Sequence, residues 1–377
     1  MKDNNKIIKK NLATEINKIA TRKNKIYFFV IDTKGVPSGS LEYIYNLAKI
    51  AREEGYDVGM LHTEDEFVGV EGWLGKEYAE IPHYNVNKEE AATSPSDVLF
   101  IPEIYSQVMN QTKMLPCKRI AILQNYDYVV EQMPYSAQWG DFKIMEAISN
   151  TESQAKLINN VFPYVKTHII RPCISKSFGQ TKEPKKMIVN IIAKDQSDIK
   201  RIIKPFYWKH PMFKWVSFRE LRGLSKEEFA KSLREAAITI VADDSASFCY
   251  SALEAAKSGC VTICKTPQTL SDWMIDKDGN LSNCCVWFDN YDTLHMQIAR
   301  IVRAWVTNKV PTILQEEANA LTQDMTYERM KKDFIGYLQG MLTNRQSEME
   351  RMLEIVDENK EDKSKQILKY KKYQDYS

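Results

Sequence analysis

The sequence predicts an α/β protein of two doubly wound domains that face a shared cleft, on three observations. Its 377 residues exceed what one ordinary hydrophobic core organises, so two domains suit the length. Short β-branched apolar runs alternate with longer stretches of helical spacing in both halves of the chain, the pattern of βαβ units. Between the two series, residues 175–186 hold no large apolar side chain except Phe178 and carry Gly179, Pro184 and several lysines. That composition reads as a linker, set at 179–186.

Composition bounds the rest. A hydrophobic content of 44% is globular, and no apolar run is long enough to span a bilayer. The N-terminus is polar and Lys-rich without an apolar signal region, so a cytoplasmic location is expected, with peripheral contact at the inner face of the membrane as a further option. Seven cysteines, at 117, 173, 249, 260, 264, 284 and 285, fit neither a metal motif nor an extracellular framework and read as reduced, buried thiols. The net charge of +2 argues against a globally basic nucleic-acid binder, although a local patch escapes that test. The five histidines form no HExxH or comparable cluster, so no protein-bound catalytic metal is expected.

Taken in order, residues 1–24 carry Lys2, Lys6, Lys9, Lys10, Lys18, Arg22 and Lys23 against Asp3 and Glu15, with Ile8, Leu12, Ile16 and Ile19 at helical spacing. They predict a basic amphipathic helix, either adsorbed on an anionic membrane or docked on its own domain. The first domain, 25–178, opens with a strand at 26–31 and a loop through Gly35 and Gly39. A helix follows with Leu41, Ile44, Tyr45, Ala48 and Ala51 on one face, then a strand at 58–61. The loop is not GxGxxG, and His62 stands where a dinucleotide-dependent dehydrogenase carries an acidic residue, which disfavours that class. Further strands are predicted at 98–101, 119–123, 144–149 and 168–172, with a helix at 150–161. In the second domain, 187–310, strands are predicted at 187–192, 215–216, 238–241, 261–264 and 286–288, and a helix at 294–305. Helices over 311–345, returning toward the first domain, and a charged tail over 346–377 complete the chain. Right-handed crossovers gather the loops of a parallel sheet at one edge, so both domains aim loops into the cleft.

The segment 245–260 lies between the apolar runs 237–241 and 261–264. It predicts a small-residue turn and a helix that bears one carboxylate, Glu254, about two turns in. The helix start offers unpaired amides to a phosphate, and Glu254 can meet ribose hydroxyls, so a nucleotide at the carboxyl edge of the sheet fits the pair. The segment resembles the donor-binding signature of retaining, nucleotide-sugar-dependent glycosyltransferases of the GT-B fold, in which two Rossmann-like domains face a cleft. In that signature a Glu, a Gly-Phe-Gly-like turn and a second Glu follow the strand. Glu254 matches the second Glu, Phe248 the aromatic, and Gly259 the glycine that closes the helix. Ala246 stands at the first Glu, and Ser247 and Cys249 stand at the turn glycines.

The resemblance implies roles for other residues. Lys194 and Lys200, after the first strand of the second domain, match an Arg and a Lys that hold the donor diphosphate, with Arg201 a near alternative to Lys200. As cations they would stabilise charge on the departing phosphate, which makes Lys194 and Lys200 the catalytic candidates. Gly39, in the first loop, reaches toward the same diphosphate. Asp244 or its neighbour Asp243 substitutes for the carboxylate missing at Ala246. Ser247 and Ser251 either donate to phosphate or cap the helix. Gln124 and Asn125 occupy the place of a sugar-facing His and either bond sugar hydroxyls or form a turn. Trp73, Trp139 and Trp208 are open between core and sugar-stacking roles. The adjacent Asp243 and Asp244 do not make the alternating metal motif of the other glycosyltransferase fold, and no permanently bound cofactor is implied. The implied function is transfer of a hexosyl or pentosyl group from a nucleotide-diphosphate sugar to a hydroxyl of a glycan or lipid-linked acceptor, in polysaccharide biosynthesis. The leaving phosphate would assist the attack, with no side-chain nucleophile. The alternatives are a transferase acting on hydroxymethylated bases, with nucleic acid as partner, and a non-catalytic binding protein of the same fold.

Overall fold

The computed structural model describes residues 24–88, 94–245 and 247–343. The strands, most of them apolar runs, form two wholly parallel sheets. The first comprises β1 (Lys25–Phe29), β2 (Asp57–His62), β3 (His83–Asn85), β4 (Val98–Pro102), β5 (Lys118–Leu123), β6 (Glu146–Ser149) and β7 (Lys166–Ile169), in the order β3-β2-β1-β4-β5-β6-β7. The second comprises β8 (Lys186–Ala193), β9 (Ser217–Glu220), β10 (Ala236–Ala242), β11 (Val261–Lys265) and β12 (Val286–Phe288), in the order β12-β11-β10-β8-β9. Strands β4 and β10 are buried along their whole length, which is why they read as nearly unbroken apolar runs.

Parallel strands need crossovers, and helices supply them. In the first domain these are α1 (Gly39–Glu53), α2 (Lys76–Ala79), α3 (Ser106–Gln111), α4 (Tyr126–Gln132) and α5 (Glu152–Val161). In the second, α6 (Gln196–Lys209) follows β8, α7 (Lys226–Glu235) follows β9 and α8 (Tyr250–Lys257) follows β10, with α9 (Leu294–Val306) and α10 (Ile313–Gln323) after β12. Ile202 and Phe206 of α6 pack with Ile298 and Val302 of α9 in one layer, while Leu233 of α7 and Leu253 of α8 pack in another. The adjacent residues Ile240 and Val241 of β10 serve these two layers in turn, as strand alternation requires. Each sheet also reverses its strand order once, between β1 and β4 and between β8 and β10. Those two switch points open crevices at the carboxyl edges of the strands.

The two-domain α/β class expected from the sequence is the one observed, and the differences lie in single elements. The strand expected at 215–216 is β9 instead, because Val216 closes a turn onto the Phe213 carbonyl at 3.0 Å and pairing with β8 starts at Ser217. Its Ser-Phe-Arg-Glu sequence suits a sheet edge rather than an apolar run. The strand expected at 168–172 runs earlier, as β7. Helix α5 begins at Glu152 because Thr151 caps it, accepting from the Gln154 amide. Helix α7 has no strong apolar run to announce it, and its start is marked by the Ser225–Glu228 capping box. The basic helix expected over 1–24 lies outside the described residues except for its last position, and so do Ala246 and the tail 346–377. The chain divides into a unit through Lys331, which holds both sheets, and a second unit from Lys332 that is helical to residue 343. Among the described residues no helix is long and apolar enough to cross a membrane.

Candidate functional site

Strands β8 and β10 are neighbours, so the first residues beyond them meet. Lys194 Nζ lies 3.2 Å from Asp243 Oδ1 and also contacts Ser245 Oγ. Ser245 donates to that same carboxylate oxygen from its hydroxyl at 2.7 Å and its amide at 3.0 Å. Lys194 is mostly exposed, so its ion pair stabilises by no more than about 1 kcal/mol and leaves the ammonium free to exchange partners. Arg222, just past β9, donates to the carbonyls of Ala193 and Lys194 at 3.3 and 2.9 Å, which fixes the turn carrying Lys194.

Helix α8 begins beside this turn. Cys249 precedes it with φ of 51°, a left-handed backbone that glycine adopts without strain, and no side chain caps the helix. Glu254 stands in the second turn of α8, closer to its start than the sequence suggests, and is only 8% exposed. Its carboxylate has no hydrogen-bond or ion-pair partner among the described residues. Burial first, and the Glu42 carboxylate second, push its pKa up to about 8, against the opposing pull of Lys226.

The first domain supplies the opposite wall. Gly39 opens α1 against the Tyr250 ring so closely that a Cβ there would lie 2.6 Å from Tyr250 Cδ2. Glu42, one turn on, forms a largely buried ion pair with Lys226, and the Lys226 amide reaches the Trp73 carbonyl at 3.3 Å. The result is a cavity of about 560 Å³ lined by Lys194, Asp243, Ser251 and Glu254 from one domain and Gly39 and Glu42 from the other. A second cavity of about 310 Å³ shares Gly39, Lys194, Asp243 and Ser251 and adds Gln124, Asn125, Ser247 and Phe248.

Of the residues given site roles from the sequence, Gly39, Gln124, Asn125, Lys194, Asp243, Ser247, Phe248, Ser251 and Glu254 line the cleft, and Lys200, Arg201 and Asp244 do not. Helix α6 starts at Gln196, so Lys200 sits a full turn along it and is exposed. Arg201 pairs with Asp198 at 3.7 Å and lies over the Tyr291 ring. Asp244 is turned to Lys265 at 2.7 Å, a hydrogen bond that holds its carboxyl below the usual range, and Asp243 takes the place in the cleft.

The amides and serines are partly committed to structure. Asn125 caps α4 through the Asp127 amide and donates to the Ser245 carbonyl at 3.0 Å. Ser247 donates to the Gln124 carbonyl at 2.9 Å rather than capping α8. Gln124 donates to the Ser40 carbonyl, but its Oε1 is buried without a partner. Beneath this pair Glu103, buried, accepts from the Gln124 and Asn125 amides at 3.1 and 2.8 Å, and burial raises its carboxyl to about 7. Trp139 belongs to the core, Trp73 lines the larger cavity, and Trp208 is exposed elsewhere. Sequence reasoning does not find Glu42, Lys226, Arg222 or Glu103, and no local motif marks them. Glu42 and Lys226 meet across 184 positions. Among the described residues, no group of three or more His, Cys, Asp or Glu side chains is placed to hold a metal ion.

No protein-family model matches the chain, and no curated protein matches it. Solved structures do resemble it. The pneumococcal O-GlcNAc transferase GtfA, in complex with UDP and GlcNAc, superposes with a TM-score of 0.60 at 9% identity, over 86% of this chain and 99% of that one. Sucrose-phosphate synthase from Thermosynechococcus elongatus gives 0.58 at 12% identity, over 85% and 100%. A glycosyltransferase from Rickettsia africae ESF-5 gives 0.58 at 12% identity, over 86% and 100%. At such identities the likeness is one of fold, and that fold is the GT-B architecture anticipated from the sequence.

Proposed function

We propose that the chain is a glycosyltransferase that moves a sugar from a nucleotide-diphosphate donor to a hydroxyl of a glycan or lipid-linked acceptor, with retention of configuration. The observation that carries this reading is that Lys194 and Glu254, reached from two different strands, line one cavity at the switch point of the second sheet. Glu254 accepts hydrogen bonds from the ribose hydroxyls and so gains the partners its buried carboxylate lacks. The diphosphate lies at the uncapped start of α8, and Lys194 exchanges Asp243 for it. As the bond to the sugar breaks, negative charge grows on the departing phosphate, and the ammonium stabilises it most in the transition state. That phosphate takes the proton of the acceptor hydroxyl while the new glycosidic bond forms on the same face. The unpartnered Gln124 Oε1 accepts from a sugar hydroxyl, whereas Asn125 is held in its structural bonds. The UDP and GlcNAc bound to GtfA, which shares this fold, support a nucleotide-sugar donor here.

One observation favours a second reading, a binding protein without turnover: Asp244 is committed to Lys265, and Ala246 stands where the resemblance expects the first Glu. A thermal-shift panel of nucleotide sugars tests both. A ligand at a hundred times its Kd stabilises by about 2.7 kcal/mol, a shift of several degrees. Lys194→Ala is expected to weaken binding of the diphosphate sugar about tenfold or more and the free nucleoside little, with Lys200→Ala leaving both unchanged. If no nucleotide sugar shifts the transition, both readings fall. Binding without donor consumption across an acceptor panel selects the second.

A further inference from the structure

The end of α6 and the segment after it present an apolar surface set in cations. Trp208 is 74% exposed, Met212 61% and Trp215 51%, all within eight residues. This is not a loose loop. Phe206, Phe213 and Val216 of the same segment are buried in the core of the second domain, and the Tyr207 hydroxyl donates to the Val216 carbonyl at 2.6 Å. The scaffold therefore holds its own apolar side chains inward and these three outward. A soluble surface gains nothing from two exposed indoles held this way, so the patch fits a partner.

Charge says which partner. Residues 199–216 contain Lys200, Arg201, Lys204, Lys209 and Lys214 and no Asp or Glu, in a chain whose totals of 52 basic and 50 acidic residues nearly cancel. Lys204, Lys209 and Lys214 form no ion pair among the described residues. Helix α9, packed against α6, extends the imbalance, for it also lacks acids, and its Arg303 lies over the Phe213 ring. The Trp215 ring meets the same Phe213 edge-on, at 6.3 Å between centroids.

We propose that this face, centred on Trp208, Met212 and Trp215, seats the protein on an anionic lipid bilayer. Indole rings lodge at the boundary between headgroups and acyl chains, and lysines around them meet anionic headgroups. A second copy of the chain fits poorly, because a two-fold contact would bring the same unpaired cations face to face. Phosphates of a nucleic acid would satisfy the lysines but leave the Met212 and indole surface without an apolar partner.

The test is co-sedimentation of the full chain with phosphatidylcholine vesicles made with and without phosphatidylglycerol. Binding is expected on the anionic vesicles, at least about tenfold weaker on the neutral ones and weakened by salt. Trp208→Ser with Trp215→Ser, and separately Lys209→Glu with Lys214→Glu, should each lower affinity for the anionic vesicles about tenfold or more. Nitroxide-labelled lipid should quench fluorescence of the parent protein and not of the tryptophan variant. Should the tryptophan variant fail to fold, the lysine variant alone decides. No adsorption to anionic vesicles overturns the proposal, as does adsorption that both variants retain. Two further results overturn it in favour of another partner, each in the absence of vesicle binding. One is oligonucleotide binding lost in the lysine variant, and the other is self-association lost in the tryptophan variant.

Discussion

Glu254 is mostly buried and has no hydrogen-bond partner for its carboxylate among the described residues, so its titration should be visible in stability. Glu254 ionises near 4.5 in the unfolded chain and near about 8 in the folded one. Below the unfolded value both states hold the proton and its contribution to stability is complete. As pH rises from there to about 8, the unfolded state releases the proton first, so stability falls, and above the folded value the whole loss is present. Glu254→Gln keeps the shape and stays neutral. Its stability relative to the parent should therefore grow by about 2–4 kcal/mol between roughly pH 5 and pH 8.5, read from denaturant midpoints without ligand. A constant gap across that range would mean the carboxylate is already satisfied. If ribose hydroxyls complete the site, donor binding near neutral pH should also release a proton in the parent and none in the Gln variant. The residue itself was legible: small neighbours on an apolar helix face announce a buried carboxylate. Its charged company was not, because Glu42 and Lys226 arrive from distant elements that carry no motif.

At the scale of elements, two helices begin against each other across the cleft. Gly39 opens α1 and Tyr250 opens α8, and the ring rests where a Cβ would be. Gly39 is thus needed for close approach rather than for an unusual backbone angle, a different reason from the diphosphate contact that the loop resemblance implies. Gly39→Ala should destabilise by about 1–3 kcal/mol through overpacking. Adding Tyr250→Ala should recover part of that loss, so the double variant is more stable than the two single effects summed. Additive effects in thermal unfolding would show that the ring moves aside freely. The strands around this contact were readable because doubly buried strands must be apolar throughout, as in β4 and β10. Edge strand β9 and helix α7 were not, since a half-exposed edge and a helix with a polar face both dilute the apolar signal. The left-handed Cys249 shows a related limit: a turn that usually selects glycine is recognisable only by its surroundings when another residue fills it.

For the whole molecule, the question is what holds the two sheets at their present spacing. Several ties join the two domains inside the cleft, where a ligand would alter them. Others lie outside the two cavities, and one of these is a carboxylate. Asp272, between β11 and β12, accepts from the Glu152 amide at 2.7 Å and the Ser153 amide at 2.8 Å, and from the Ser153 hydroxyl, so a carboxylate of one domain sits at the start of α5 in the other. Thr269 of the same loop donates to Asp127 at 2.7 Å. A carboxylate at a helix N-terminus is favoured by both the free amides and the dipole. Because the contact is exposed and joins positions 119 and 120 apart, nothing in the sequence points to it. Its loss should cost about 1–2 kcal/mol of closure while leaving each domain core intact. Asp272→Ala is therefore expected to raise the radius of gyration in small-angle scattering without ligand and to change thermal unfolding little. Asp272→Asn, which keeps one acceptor oxygen, should fall between the two. Scattering curves that coincide for all three proteins would show that the ties within the cleft suffice to set the spacing. A rise accompanied by a large drop in the unfolding temperature would instead make Asp272 a part of the folded core.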